Sequence, residues 1–350
     1  MVRLAPSEHY RFTQACPGSM DLTFGGAESS VAASISILGG SSRFVSALPQ
    51  HAIADAFVSQ MRGFKVDVDH VLRREAGRFG IYYVETGANQ RPSRVIYDRD
   101  YSAVSICPGE EYDWDAIFVD AEWLHISGIT LAISETAAHA AILAAGKAQA
   151  VGVKVSCDLN FRKNLWRWRS GSDARSLARS VMPDFLENVN VIIGNEEDAA
   201  DVLDIHAGDT DVHSGSLEIA HYPDVARQIA QRFKNINQVA ITLRESISAT
   251  HNNWGAMLYD VHSDTAVFAP MNGEQYEPYE IRNIVDRVGG GDSFAAGLIY
   301  AMTTKDFATA QDQVDFAVAA SCLAHSVKGG FNFNSRAEVE ALANGNVSGR

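Results

Sequence analysis

Apolar and polar positions change their rhythm along this chain. Ser29 to Leu38 (SSVAASISIL) is small and apolar and stops at Gly39-Gly40, which predicts a buried helix closed by glycine. A second helix is predicted over residues 52–62. FGIYYV at 79–84 and RVIY at 94–97 then predict two strands separated by a polar Gly/Asn/Pro turn region. That hairpin interrupts an otherwise alternating pattern and predicts a separate small sheet. From about residue 116 the rhythm becomes regular. AIFVD and WLHISGI lead to an Ala-rich helix near 137–150, then to VKVSCDLN, VNVIIGN, a helical stretch and QVAITLR. A strand pair near 256–269 follows, and last comes a glycine loop that opens a helix. Short apolar strands alternating with helices predict an α/β fold, its sheet mainly parallel and covered on both faces.

Ligands of such sheets gather at the carboxyl ends of strands, and polar residues are predicted there three times. Asp158, Asn160 and Arg162 follow one strand, Asn195 to Asp198 a second, and Thr242 to Glu245 a third. The strongest local signal is DRVGGGDSFAAGLIYAM at 286–302. Glycines let backbone N–H groups turn toward a ligand, and a helix N-terminus adds partial positive charge, so Gly289, Gly290 and Gly291 suit an anion, above all a phosphate. Asp292 beside that nest suits a base that takes a proton from an attacking hydroxyl. An aspartate capping a plain helix would write the same letters. Asn195 to Asp198 equally suits a helix N-cap with an acidic first turn. His125, Trp166 and Trp168 are expected to pack.

Composition narrows the function classes. With 350 residues, 46% of them hydrophobic, the chain can bury a large core. A formal net charge of −14 argues against non-specific nucleic-acid binding, which needs lysine and arginine to displace counterions. Arginines that meet anionic ligands must therefore cluster locally. The four cysteines (Cys16, Cys107, Cys157, Cys322) are scattered and read as reduced core thiols of a cytoplasmic protein. Neither a signal peptide nor a stretch near the ~20 apolar residues of a membrane span is visible. Residues 344–350 are expected to fray. A dinucleotide-binding dehydrogenase is disfavoured because its glycine loop should follow the first strand, not lie near residue 290.

The glycine loop resembles the C-terminal signature of the ribokinase-like (PfkB) carbohydrate kinases. FGGAES at 24–29, GRFGIYYVETGANQRPSRVIYDR at 77–99, CDLNFRKNLW at 157–166, GNEED at 194–198 and ITLRES at 241–246 resemble, in order, the 2-dehydro-3-deoxygluconate kinases of that family. The resemblance implies a three-layer α/β/α core over 1–350 with a small β-sheet lid from about 10–24 and 79–106. It implies ATP and Mg2+ as cofactors, a sugar acid as small-molecule partner, and transfer to the C6 hydroxyl of 2-dehydro-3-deoxygluconate. Fructose and 2-dehydro-3-deoxygalactonate are the alternative acceptors, and a binding protein without turnover is the reading from another class. By the same resemblance Asp292 is the general base, and the amides of Gly289 to Gly291 are the anion hole. Gly25, Gly26, Ala27, Glu28 and Ser30 form the substrate turn. Tyr83, Tyr97 and Arg99, with Arg94 as a companion, reach the sugar acid from the lid, and Arg162 meets its carboxylate or a phosphate. Asn195, Thr242 and Arg244 serve ATP, and Asn195 and Asp198 order the metal indirectly. A homo-oligomer through the lid is the expectation; no nucleic-acid or membrane partner is.

Four positions depart from the family pattern. A strand ending in Gly-Asp or Gly-Glu usually precedes the segment matching Met1 to Pro6, so the expectation is either a sheet that lacks a central strand or a truncated chain start. Ser30 stands where the substrate turn normally has asparagine. Arg287 replaces a common threonine, and Gly330 stands where gluconate-type members often carry aspartate.

Overall fold

The computed structural model describes residues 1–206 and 219–346, so the end at 347–350, with its expected fraying, lies outside the described residues. Two compact units form. The first comprises Met1–Ala103, Arg244–Gly255 and Phe268–Arg350, and the second Val104–Leu243 and Ala256–Val267.

The predicted hairpin is present. Ile81–Glu85 pairs antiparallel with Arg94–Asp98, placing Tyr82 opposite Tyr97 and Glu85 opposite Arg94. It belongs to a four-stranded sheet that includes Asp21–Phe24 and Val2–Ala5. The last strand lies outside the expected lid ranges yet is central, antiparallel to Asp21–Phe24 and parallel to Ile81–Glu85. Tyr10 and Tyr101 are exposed around this sheet, as are Leu22, Val95 and Ile96 on its strands. Ser46–Pro49 and Val71–Arg74 make a separate parallel pair. The expected helices occupy Ala27–Ile37 and Ala52–Gly63. Phe24, Phe57 and Phe79 pack edge-on or tilted in the core of this region.

The larger sheet has seven strands. Trp123–Ser127, Lys154–Asp158, Val191–Gly194 and Gln238–Ser248 run parallel in that spatial order. His251–Asp260 and Thr265–Ala269 continue it, and Tyr279–Ile281 pairs antiparallel with His251–Asp260. Two expectations change. AIFVD, read as a strand, lies around a short helix Trp114–Ile117, because the Asp113 carboxylate accepts the Ala116 N–H and caps it. Thr242 to Glu245 do not follow a strand; they lie within the long strand Gln238–Ser248.

The Ala-rich helix spans Glu135–Ala150, started by Ser134. The last predicted helix spans Gly290–Thr303 and is almost wholly buried. It packs closely on Ala310–Ala324 because Gly297 carries no side chain; a Cβ there would sit 3.0 Å from the Ala317 Cα. Cys107 and Cys157 are buried as expected, whereas Cys16 is exposed, and none of the four cysteines is in a disulfide. His125 bonds Ser156 Oγ at 2.8 Å, and Trp168 Nε1 donates to the Leu131 carbonyl. Trp166 is buried. All three side chains pack, as expected.

Candidate active site

In the first unit the chain turns into the last large helix at Gly289, whose φ of +91° is left-handed backbone that glycine adopts without strain. Gly289, not Asp292, is therefore the cap. Asp292 sits in the first turn, half-buried, and Gly291 beside it is exposed, with open space where a Cβ would be. First-turn amides have no partner within their own helix, and the Gly290 N–H reaches the Arg287 carbonyl only at 3.5 Å, so this turn suits an anion.

Side chains hold this loop in place. Asp286 Oδ1 accepts the Val288 N–H at 3.0 Å, and its Oδ2 accepts the Gly329 N–H at 3.2 Å. Ser321 Oγ donates to the Gly290 carbonyl at 2.7 Å. The His325 imidazole lies under Gly290, where an added Cβ would meet it at 3.0 Å. His325 Nδ1 bonds the Ser321 carbonyl, and burial lowers the ring's proton affinity.

Gly330 joins the expected substrate turn to the glycine loop. Ser30 Oγ donates to its carbonyl at 2.7 Å, and a Cβ on Gly289 would meet the same oxygen at 3.3 Å. A side chain on Gly330 itself would lie 2.8 Å from both the Gly25 Cα and the Phe24 carbonyl oxygen. The two departures at 30 and 330 are thus one contact. Ser30 is buried, and its hydroxyl proton is spent on Gly330 rather than on a ligand. The turn itself is left-handed at Gly26, and Ala27 and Glu28 open the helix Ala27–Ile37.

From the small sheet, Arg99 joins this group. Burial pulls its guanidinium below the ordinary arginine range, while Glu28, then Tyr97 and Asp100, pull it back up. Its Nε is buried with no hydrogen-bond partner. Tyr97 and Tyr83 do not share a face. Tyr97 stands opposite Tyr82, and strand alternation puts Tyr83 on the other side, edge-on to Phe12. Tyr82, which sequence reasoning missed, is buried with its hydroxyl against Gly25 and feels the charges of Arg3, Asp286 and Asp292. Arg94 is exposed.

Arg244 is exposed, on the strand Gln238–Ser248. Arg287 donates from Nη2 to the Ser248 carbonyl and to Asn252 Oδ1, both at 2.5 Å. Burial, and then Arg244, lowers Arg287 below the usual arginine range. Two like charges within reach of each other, at the entry to the glycine loop, favour an anion.

Arg162, Asn195, Asp198 and Thr242 belong to the second unit. Asn195 and Asp198 form a capping box, as the helix reading of that segment expected. Asp198 Oδ1 accepts the Phe161 N–H at 2.9 Å, which ties the Arg162 segment to this helix start. Burial pushes Asp198 up to about 6, against the pull of the Phe161 N–H, Arg162 and the Asn195 N–H. Thr242 Oγ1 donates to the Gly194 carbonyl at 3.3 Å. Among the described residues no three His, Cys, Asp or Glu side chains gather as a metal site. With both Asp198 oxygens and Asn195 Oδ1 occupied by backbone N–H groups, this pair fits a metal only through water or phosphate oxygens.

A helix N-terminus that opens on a glycine turn, with a first-turn carboxylate, is an arrangement on an α/β fold that suits phosphoryl transfer. Residues 7–336 match the pfkB family carbohydrate kinases, and the chain belongs to that family: it is a carbohydrate kinase with the ribokinase-like fold. It is 40% identical to the solved 2-dehydro-3-deoxygluconokinase of Thermotoga maritima, with a TM-score of 0.87 over 98% of this chain and 95% of that one. It is 29% identical to the 2-dehydro-3-deoxygalactonokinase of Haloferax volcanii over all of this chain and 96% of the relative. A ribokinase II of E. coli, solved with ATP and Mg2+, shares the fold at 18% identity and a TM-score of 0.73 over 98% of this chain and 96% of that one.

Proposed function

We propose that the chain transfers the γ-phosphoryl group of ATP to the C6 hydroxyl of 2-dehydro-3-deoxygluconate. Asp292 takes the proton from that hydroxyl as it attacks. The amides at Gly289, Gly290 and Gly291 meet the charge that spreads over the transferring group, which needs positioning and electrostatic stabilisation more than covalent chemistry. Gly25, Gly26, Ala27 and Glu28 shape the substrate turn. Arg99 and Arg162 receive the acceptor's carboxylate, and Tyr83 and Tyr97 are proposed lid contacts. Asn195, Thr242 and Arg244 serve the nucleotide. A magnesium ion, held through phosphate oxygens and water near Asn195 and Asp198, supplies charge neutralisation when bound.

The observation that carries the sugar-acid reading is Arg99. A half-buried guanidinium with an unpartnered Nε is costly unless an anion completes it, and a planar carboxylate does so by paired hydrogen bonds. The likeness to the galactonate-type relative favours a second reading, in which 2-dehydro-3-deoxygalactonate is the acceptor. A coupled ATP assay over both sugar acids, fructose and ribose tests the proposal. Turnover of a sugar acid is expected, and Arg99→Ala is expected to lower its kcat/KM by about 10²-fold while changing use of a neutral sugar far less. Good turnover of fructose or ribose with none of either acid would refute it.

A further inference from the structure

A buried ion pair lies behind the glycine loop. Arg3 and Asp286 are 1% and 4% exposed, and Arg3 Nη2 approaches Asp286 Oδ2 to 2.5 Å. Arg3 Nη1 and Nη2 are both buried without a hydrogen-bond partner, so the contact with Asp286 is one of charge. Such a pair is a poor way to stabilise a fold, because taking two charges from water offsets most of their attraction, and an orphan N–H adds to the cost. Its position suggests another use. Asp286 holds Val288 with one oxygen and Gly329 with the other, so a single carboxylate fixes the start of the glycine loop and the segment that carries Gly330. Three successive glycines have no side chains with which to hold themselves, and their amides must aim at one point.

We propose that Arg3 is a positioning residue for phosphoryl transfer: by holding the Asp286 carboxylate in place, it fixes the amides of Gly289 to Gly291. This rests on the phosphoryl-transfer reading of that loop. Arg3 touches no substrate, and its effect belongs in kcat. A loop misplaced by about 1 Å loses about 10²-fold in rate.

Two variants test this in the full-length chain. Arg3→Met combined with Asp286→Asn removes both charges and leaves neither unpaired. Its denaturation midpoint is expected to match or exceed that of the parent, with kcat at least ~30-fold lower and both KM values within ~3-fold. Arg3→Lys keeps the charge but loses the fork, and is expected to retain more kcat than the double variant. A folded double variant with kcat within ~2-fold of the parent overturns the proposal. If the double variant does not fold, Arg3→Lys decides, and an unchanged kcat there overturns it. The kcat ratio is taken on whichever acceptor the parent uses, so failure of the sugar-acid reading does not mimic failure of this one. Amide hydrogen exchange over residues 286–293 is a readout independent of turnover. It is expected to accelerate in both variants, and unchanged exchange in both counts against the proposal.

Discussion

Asp292 is the residue on which the chemistry turns. It is not the helix cap, since Gly289 fills that place, so its carboxylate is not required to start the helix. Replacing it with asparagine keeps size and polarity and removes only the capacity to accept a proton. Asp292→Asn is expected to lower kcat by at least ~10²-fold while ATP binding by calorimetry stays within a few-fold of the parent. Unchanged turnover would remove Asp292 from the role of base. Tyr82 shows how a residue next to this site escapes sequence reading. IYYVE offers two adjacent tyrosines, and only the pairing of Tyr82 with Tyr97 says which one faces Gly25.

Elements carry the pH response of the fold. On the strand Trp123–Ser127, burial holds His125 near its neutral form, with its pKa lowered from 6.5 to about 4. The unfolded chain therefore takes up this proton first as pH falls. The contribution to stability is present above pH 6.5 and is lost as pH falls toward 4. Between pH 7 and pH 5 the loss is expected to be at most about 2 kcal/mol, read as the difference in denaturant stability between the parent and His125→Phe. An equal pH dependence in the two proteins would show that His125 does not titrate this way. The strands and helices themselves were largely legible, because apolar runs of strand length and glycine stops write directly into sequence. AIFVD was not, because one cap at Asp113 outweighed an apolar run.

At the scale of the whole molecule, the order of motifs identified the family, while the site's supports stayed hidden. Arg3 lies in VRLA and Asp286 in DRVGGGD, nearly 300 positions apart in sequence, and neither segment indicates that they pair. Pairings of that span depend on the finished fold. The same holds for Ser30 and Gly330, which looked like two independent departures and are one hydrogen bond. That contact constrains how this protein could change over generations. Gly330→Asp alone places a Cβ 2.8 Å from the Gly25 Cα and the Phe24 oxygen, and is expected to cost about 1–3 kcal/mol of stability, measured by denaturant unfolding. Combined with Ser30→Asn, its effect is expected to depart from additivity by at least ~0.5 kcal/mol, and strict additivity would show the two sites to be uncoupled. A lineage leaving this arrangement would have to pass through a weakened intermediate or change both positions together. The junction between the Gly25-Gly26 turn and the glycine loop is therefore buffered against single mutations at a place where no ligand need ever touch it.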